Sequence, residues 1–454
     1  MVGPGGRTPL VYRLLMHDDP VVITGIGLIA SVGSDRETVW KAVREGRSGA
    51  RWLEGIEGIP DRWLIGASVD LEPERPGELK VIRLARHAAH EALADAALDW
   101  SQIDRTRFGC AISAHMGDTS FIAHLFSSAL REDTPSIQIP YVQVSEENLP
   151  FQNEHPLRRQ EAGWWNQWLP NTACWTLGQE FGLYGPRLCH STACASGLVE
   201  VLAAYWAIRD GQCDLALVGS ADAIHPLFAA GFHKMRVLAY HEDPGQACRP
   251  FDAARNGFIM GEGSGMFVLE RLSHARRRGA RIYAQILGGK IIADAFHVTG
   301  LDADSESLAY LIQATLRSTG LQPSDISYIN AHGTGTQQND AMETRGIRRA
   351  LGSAASRVCV SSTKAVLGHL VNAAGSVELA ITVLALRDGF VPPTINLTHP
   401  DPQCDLDCTP LVGRRFGGEY ALKFSVGFGG HQAAVALRRW PEVQSQLDGL
   451  ARAA

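Results

Sequence analysis

The sequence predicts an α/β fold in which helices cover central β-sheets. Apolar, β-branched runs of strand length recur along the 454-residue chain, and each ends in small residues. Helix-length segments lie between these runs, and strands that alternate with helices are typical of α/β folds. Several of the runs are apolar on both faces, as expected where helices cover both sides of a sheet.

The predicted elements alternate in chain order. Strands are expected in the apolar runs at residues 21–25, 108–112, 215–219, 266–269, 282–287, 326–329, 358–360 and 433–437. Helices are expected in the longer segments between them, at residues 37–45, 81–97, 197–209, 305–318 and 375–387. The segment after residue 197 is apolar nearly all round, which predicts a buried helix.

The chain is predicted to divide into two α/β halves near the paired glycines Gly288 and Gly289. We expect a disordered extension, a first half, a second half and a tail, at residues 1–18, 19–288, 289–440 and 441–454 respectively. A loop insertion at about 131–170 interrupts the first half. Its tryptophans, at positions 164, 165 and 168, are expected to pack locally, with a substrate lid or a partner surface as the alternative.

Composition limits the classes of function. Lys and Arg number 42 against 48 Asp and Glu, a net charge of −6, which argues against a nucleic-acid partner. No apolar stretch approaches the roughly 18 residues of a membrane span, and the patch at 10–15 is too short for a signal peptide. Nine cysteines without paired CxxC spacing, among them Cys404 and Cys408, indicate unpaired thiols in a reducing, cytoplasmic setting.

Cys194 is a candidate nucleophile. It lies in the run His-Ser-Thr-Ala-Cys-Ala-Ser-Gly, immediately before the buried helix. A thiol at a helix N-terminus lies at the positive end of the helix dipole, which favours the thiolate. Small neighbours leave room for a substrate, although a cysteine in such a turn is more often inert packing.

Two histidines and a glycine-rich turn occupy similar positions. His332, in Asn-Ala-His-Gly-Thr-Gly-Thr, and His369, in Ser-Ser-Thr-Lys-Ala-Val-Leu-Gly-His, each follow a predicted strand, where ligands gather in α/β sheets. Each is as readily structural as functional when taken alone. The turn Ser-Val-Gly-Phe-Gly-Gly around Phe428 is either a hairpin or a backbone N–H donor aimed at an oxyanion.

These motifs, taken together and in this order, resemble the β-ketoacyl-acyl-carrier-protein synthases. The resemblance is to the elongating, type II condensing enzymes of the thiolase superfamily and covers about residues 20–439. Supporting matches are Arg-Pro-Phe-Asp at 249–252, Gly-Glu-Gly at 261–263 and Val-Pro-Pro-Thr-Ile-Asn at 391–396. It implies a thiolase-like fold, two similar α/β halves packed as a five-layer αβαβα sandwich.

The resemblance also implies an activity, the decarboxylative Claisen condensation of an acyl chain with malonyl-acyl-carrier protein. Cys194 would carry the acyl chain as a thioester. The backbone amides of Cys194 and Phe428 would form the oxyanion hole. His332 and His369, as neutral imidazoles, would donate hydrogen bonds to the malonyl thioester carbonyl as it becomes an enolate, without a metal ion.

Further residues receive roles from the same resemblance. Lys364 and Glu343 would form a supporting pair, with Lys364 orienting or tuning the site. Thr334 and Thr336 would bind the pantetheine arm, Met116 would limit acyl-chain length, Phe428 would gate the acyl pocket and Gly429 would contact substrate.

The partner implied is an acidic acyl-carrier protein whose phosphopantetheine carries the substrates, with no separate cofactor. Arg236, with Lys234 close by, matches a basic docking position. The chain would form a homodimer, with a heterodimer as the alternative.

Several positions depart from the family pattern. Residues 71–81 carry three acidic residues where the family tends to be basic, His115, Met116 and Asp118 lie beside the expected acyl pocket, and His431-Gln432 replaces Thr-Asn. These differences predict a specialised lipid or polyketide pathway rather than housekeeping fatty-acid synthesis.

Other classes of function remain as alternatives. A non-catalytic chain-length-factor-like subunit would share the fold, but such subunits typically lack the nucleophile. A Cys-His hydrolase of another fold would not need the second histidine motif. A zinc site at Cys189, His190 and Cys194 lacks the usual second pair of ligands.

Overall fold

A computed structural model describes residues 19–56, 58–71, 78–114 and 169–441. Predictions that concern residues 1–18, Met116 with its neighbours His115 and Asp118, the loop at 131–170 up to residue 168, and residues 442–454 lie outside this part of the chain.

The described residues form strands and helices in alternation, as the sequence predicts. The strands are β1 (Val21–Ala30), β2 (Arg51–Trp52), β3 (Ile65–Ala67), β4 (Phe108–Ala114), β5 (Arg187–Leu188), β6 (Leu215–Asp222), β7 (Met260–Gly261), β8 (Gly263–Arg271), β9 (Ala284–Ala293), β10 (Ile326–Asn330), β11 (Cys359–Ser361), β12 (Phe390–Val391), β13 (Arg414–Arg415), β14 (Tyr420–Val426) and β15 (His431–Arg439). The helices are α1 (Arg36–Glu45), α2 (Lys80–Asp95), α3 (Thr172–Glu180), α4 (Ser196–Arg209), α5 (Pro226–Lys234), α6 (Leu272–Arg277), α7 (Glu306–Thr319), α8 (Gln337–Leu351), α9 (Lys364–Leu367) and α10 (Ala374–Asp388).

The strand order repeats between the two parts of the chain. One part has the spatial order β1-β8-β6-β4-β5 and the other has β9-β15-β14-β10-β11. In the first part, β1–β8 and β8–β6 are antiparallel pairs, and β6–β4 and β4–β5 are parallel pairs. In the second part, β9–β15 and β15–β14 are antiparallel pairs, and β14–β10 and β10–β11 are parallel pairs. The described structure therefore contains two α/β halves of the same topology.

The two halves meet where β1 pairs antiparallel with β9. The register joins Val21 to Ile286 and Ile23 to Ala284. The predicted division after residue 288 falls inside β9, which is the first strand of the second topological repeat. We therefore propose that the second half begins with β9 rather than at its paired glycines.

Helices and sheets form the five layers of a thiolase-like fold. Helices α2 and α3 cover the outer face of the first sheet, and α7, with α8 packed on it, covers the outer face of the second. Helices α4 and α10 lie between the sheets and touch strands of both halves. All residues of α10 from Ala374 to Leu386 are buried, as a central layer requires.

The central helices pack closely at their N-terminal ends. A Cβ placed on Gly197 of α4 would meet the Ser376 amide nitrogen at 2.5 Å, and one on Gly375 of α10 would meet the Leu198 nitrogen at 2.8 Å. Because α4 starts two residues after Cys194 and α10 starts five residues after His369, this crossing brings the two motifs together. No described helix has the length and apolar character needed to span a membrane.

Candidate active site

Cys194 lies at the N-terminal end of central helix α4. It forms part of a short 3₁₀ turn, Ala193–Ala195, and its neighbour Ala193 has a φ of 49°, which is uncommon for a residue with a side chain. Cys194 is only 6% exposed and packs in an apolar cluster with Phe232, Phe258 and Val371. The sequence prediction of a cysteine leading into a buried helix thus matches the described geometry.

His369 occupies the related position before α10. Its backbone nitrogen donates to Ile259 O (2.7 Å) and its carbonyl accepts from Gly261 N (2.9 Å), so the first half anchors a histidine that the second half supplies. The Val371 amide donates to Nδ1 at 3.3 Å. In the neutral ring the proton therefore lies on Nε2, which is 3.2 Å from Cys194 Sγ.

His332 follows strand β10 and faces His369. The two imidazole rings have centroids 5.3 Å apart and cross at 82°. Glu343 of α8 accepts hydrogen bonds from the amides of His332 and Gly333, the latter at 2.7 Å, and this fixes the histidine loop. The Ser362 hydroxyl donates to Gly333 O at 2.6 Å from the other side.

The three reactive side chains converge. Donor atoms of Cys194, His332 and His369 all lie within 4.8 Å of one another, and each residue is buried. One thiol and two imidazoles are suited to nucleophilic attack assisted by hydrogen-bond donors, and the same donor set suits a soft divalent metal ion.

A buried charge cluster underlies the histidines, and its pairing differs from the prediction. Lys364 Nζ donates to Glu378 Oε1 at 2.6 Å and to the His332 carbonyl, whereas Glu343 binds backbone amides instead. Glu378 belongs to α10, and its other oxygen forms an ion pair with Lys423 Nζ of β14 at 2.6 Å. The predicted Lys364–Glu343 pair is therefore wrong in its acidic partner: the carboxylate that pairs with Lys364 is Glu378.

Burial and positive charge act together on the imidazoles. The pKa values of His332 and His369 lie well below the usual 6.5, first because of burial and then because of Lys364, with Lys423 also contributing. Both rings are therefore neutral near pH 7. Burial also raises the pKa of Glu343 to about 7, against the opposing effect of the Gly333 amide.

Burial also decides the state of the nucleophile. It raises the pKa of Cys194 to about 12, and the nearby charge of Lys364 offsets only part of this. Burial therefore opposes the thiolate that the position at the helix N-terminus is predicted to favour, because desolvation disfavours the charged form of the sulfur. The resting group is a thiol beside an imidazole N–H.

A glycine turn approaches the backbone of Cys194 closely. A Cβ on Gly427 would lie 2.9 Å from Thr192 O and 3.2 Å from Cys194 N. The Gly427 amide donates to His431 O at 2.7 Å, and the Gly429 amide to Val298 O at 2.8 Å.

Aromatic rings line the wall between the surface and His369. Phe428 is half-buried and contacts Phe232 of α5 at a centroid distance of 6.4 Å. Phe232 packs edge-on against Phe258 at 5.3 Å, and Phe258 packs edge-on against His369 at 4.9 Å. Gly429 is exposed beside Phe428.

The remaining predicted residues lie in the His332 loop and at the end of helix α5. Thr334, which is buried, and the half-buried Thr336 have hydroxyl oxygens 2.9 Å apart in the His332 loop. Lys234 and Arg236 are exposed at and just beyond the end of α5. Arg236 has a φ of 57°, so the chain turns sharply there.

Sequence reasoning missed Glu378, Lys423 and Phe258. A signal existed for Glu378, which is the single acidic residue inside the long apolar run at 375–386. Phe258 lies in a Gly-Phe pair at 257–258, which matches the family pattern, whereas Lys423 carries no comparable local pattern.

The comparisons with known proteins identify the family. The sequence model of the beta-ketoacyl synthase N-terminal domain matches residues 80–275, and that of the beta-ketoacyl synthase C-terminal domain matches residues 283–398. The chain belongs to the beta-ketoacyl synthase family. It is a ketosynthase, a condensing enzyme of the acyltransferase class.

Relatives cover almost the whole chain. The tetracenomycin polyketide synthase ketoacyl synthase alpha subunit of Streptomyces glaucescens is 38% identical over 94% of this chain and 98% of its own. The 3-oxoacyl-[acyl-carrier-protein] synthase 2 of a Synechocystis species is 34% identical over 92% and 98%. A solved type II polyketide synthase ketosynthase, in complex with its acyl-carrier protein and bound to the hexaketide, aligns with a TM-score of 0.80 at 31% identity, over 93% of this chain and all of that one.

Proposed function

We propose that this chain condenses a Cys194-bound acyl group with a malonyl group, both delivered on the phosphopantetheine of an acyl-carrier protein. The observation that carries the proposal is the convergence of Cys194, His332 and His369 within 4.8 Å in a buried pocket. A non-catalytic subunit would have no use for an intact nucleophile beside two neutral imidazoles.

Acyl transfer begins with the Cys194 thiol. Its sulfur attacks the acyl thioester, and the thiol proton ends on the departing pantetheine sulfur. The tetrahedral oxyanion accepts hydrogen bonds from the amides of Cys194 and Phe428, which the close approach of Gly427 to the Cys194 nitrogen supports. Thr334 and Thr336, with their hydroxyls in the His332 loop, hold the pantetheine arm.

Condensation then uses the two imidazoles. The malonyl carboxylate leaves as CO₂, and its electron pair forms an enolate whose oxygen accepts hydrogen bonds from His332 and His369. The enolate carbon attacks the acyl carbonyl, and collapse of the tetrahedral oxyanion expels the Cys194 thiolate, which takes a proton from water. Neutral donors suit this task because an imidazolium would stabilise the departing carboxylate by ion pairing.

Two observations indicate the partners of this chain: the exposed basic residues near the site and the names of its relatives. Lys234 and Arg236 lie exposed on the aromatic side of the pocket, where an acidic carrier protein would dock. A relative named as an alpha subunit supports a second subunit for this chain, so we favour a heterodimer in a polyketide-type pathway over the homodimer. Free thiols at all nine cysteines support a cytoplasmic setting.

The test is reconstituted condensation. The chain is mixed with acyl- and malonyl-carrier proteins, and the β-ketoacyl product is detected by the mass of the carrier and by released CO₂. We expect product from the wild type and none from Cys194→Ala. Absence of product with every primer, with or without a co-expressed second subunit, would contradict the proposal. Ordinary medium-chain saturated acyl groups as the best primers would argue against a specialised pathway.

A further inference from the structure

A second lysine lies buried beneath the active site. Lys423 is at the centre of β14 with no exposed surface, although a lysine is rarely fully buried. Its Nζ lies 2.6 Å from Glu378 Oε2, 2.7 Å from Phe424 O and 3.3 Å from Ala331 O. Lys423 takes no part in the reaction steps proposed above.

Lys423 and Lys364 enclose one carboxylate between them. Each ammonium group faces one oxygen of Glu378 at 2.6 Å. The lysines also bind consecutive carbonyls of the histidine loop, since Lys423 donates to Ala331 O and Lys364 to His332 O. The backbone that carries the His332 imidazole is therefore held at two adjacent points.

The cluster has more positive than negative charge. Lys364 and Lys423 share the carboxylate of Glu378, and a second acidic group near them, Glu343, has its pKa raised to about 7 by burial. The charge of Lys423 is among the causes that lower the pKa of both His332 and His369. Burial makes such a charge effective over longer distances than at a surface.

We infer that Lys423 is a positioning residue for the condensation: it fixes the loop of His332 through Ala331 and supplies a positive charge that keeps both imidazoles neutral. This inference rests on the proposed function, in which neutral rings donate hydrogen bonds to the enolate. Its effect reaches the substrate only through the histidines, because the Lys423 ammonium group is bound by Glu378, Phe424 O and Ala331 O.

Two substitutions separate charge from hydrogen bonding. Lys423→Met removes both the charge and the donor, whereas Lys423→Gln keeps an N–H donor without the charge. Glu378 retains Lys364 as a partner in each variant. The matched control is Lys290→Met, at an exposed lysine of β9.

The first readout is an NMR titration of ¹⁵N-histidine-labelled protein, which needs no substrate. In the wild type and in Lys290→Met, we expect the two site imidazoles to stay neutral well below pH 6.5. In both Lys423 variants, we expect the pKa values of the two site imidazoles to rise by about one unit, which is the size of the effect of one nearby buried charge. No movement in either variant, or movement in Lys423→Met alone, would overturn the inference.

The second readout is the pH profile of CO₂ release from malonyl-carrier protein. The acid limb should move upward by the same amount in both Lys423 variants, while the control keeps the wild-type profile. A uniform loss of rate at every pH would indicate a merely structural role and overturn the inference. If the wild type itself releases no CO₂, the proposed function fails, and the imidazole titration still decides the role of Lys423.

Discussion

Acidification should destabilise this protein through the two site histidines by an amount that follows from their burial. The pKa values of His332 and His369 in the folded protein lie well below 6.5, whereas in the unfolded chain they are ordinary, about 6.5. Below pH 6.5 the unfolded state binds protons that the folded state does not. Stability present above this pH is therefore lost as the pH falls towards the folded-state values.

The magnitude can be worked out for each ring. At pH 5.5, a histidine that stays neutral when folded lowers the free energy of unfolding by between about 1 and 2 kcal/mol relative to neutral pH, and two lower it by about 3 kcal/mol. Substitution by asparagine removes the titrating group. The difference in free energy of unfolding between the wild type and the double variant His332→Asn/His369→Asn should shift by this amount between pH 7.5 and 5.5.

The assay is urea unfolding followed by the fluorescence of the chain's 10 tryptophans, at both pH values. Other titrating groups are common to both proteins and cancel in the difference. His399→Asn, at an exposed histidine, is the matched control. A difference between wild type and double variant that does not depend on pH would refute the claim that the site imidazoles are held neutral.

Three further substitutions test the packing around the site. Glu378→Gln leaves two buried ammonium groups without a carboxylate and should lower the free energy of unfolding by about 3–5 kcal/mol in urea titrations, against about 0–1 kcal/mol for Asp405→Asn at a surface pair. Gly261→Ala would place a Cβ 2.4 Å from Leu367 O and displace the second histidine motif; CO₂ release should fall about 100-fold, and an unchanged rate would contradict this. Gly427→Ala would widen the oxyanion hole and should slow acyl loading about 100-fold, as measured on samples quenched at successive times. Alkylation of Cys194 by iodoacetamide should keep its wild-type rate.

The sequence predicts most of the architecture because the core strands coincide with apolar, β-branched runs. Runs such as residues 21–25 and 108–112 lie inside β1 and β4, and the helix at 197–209 is α4. Strand β14 was harder to predict because Lys423 interrupts its apolar run, and a lysine normally indicates a solvent-facing position. Strands of two residues, such as β5, depend on tertiary pairing and have no local pattern of their own.

The site was predictable from its motifs but not from its charges. Cys194, His332 and His369 follow predicted strands or precede a predicted helix, and the fold brings them together where those motifs meet. The partner of Lys364 could not be chosen by sequence spacing, because Glu378 reaches it from one turn inside α10 while Glu343 turns towards the backbone of the first histidine loop. Burial of Cys194, which raises the pKa of its thiol, is a property of the assembled halves.

The most direct test of the central claim is intact-mass spectrometry after incubation with acyl-carrier proteins that bear different acyl chains. The wild type should gain the mass of one acyl group. Cys194→Ala should gain none, and Cys248→Ala, at another buried cysteine, should load like the wild type. Loading that persists in Cys194→Ala, or that no acyl chain produces in the wild type, would contradict the assignment of Cys194 as the nucleophile of a condensing enzyme.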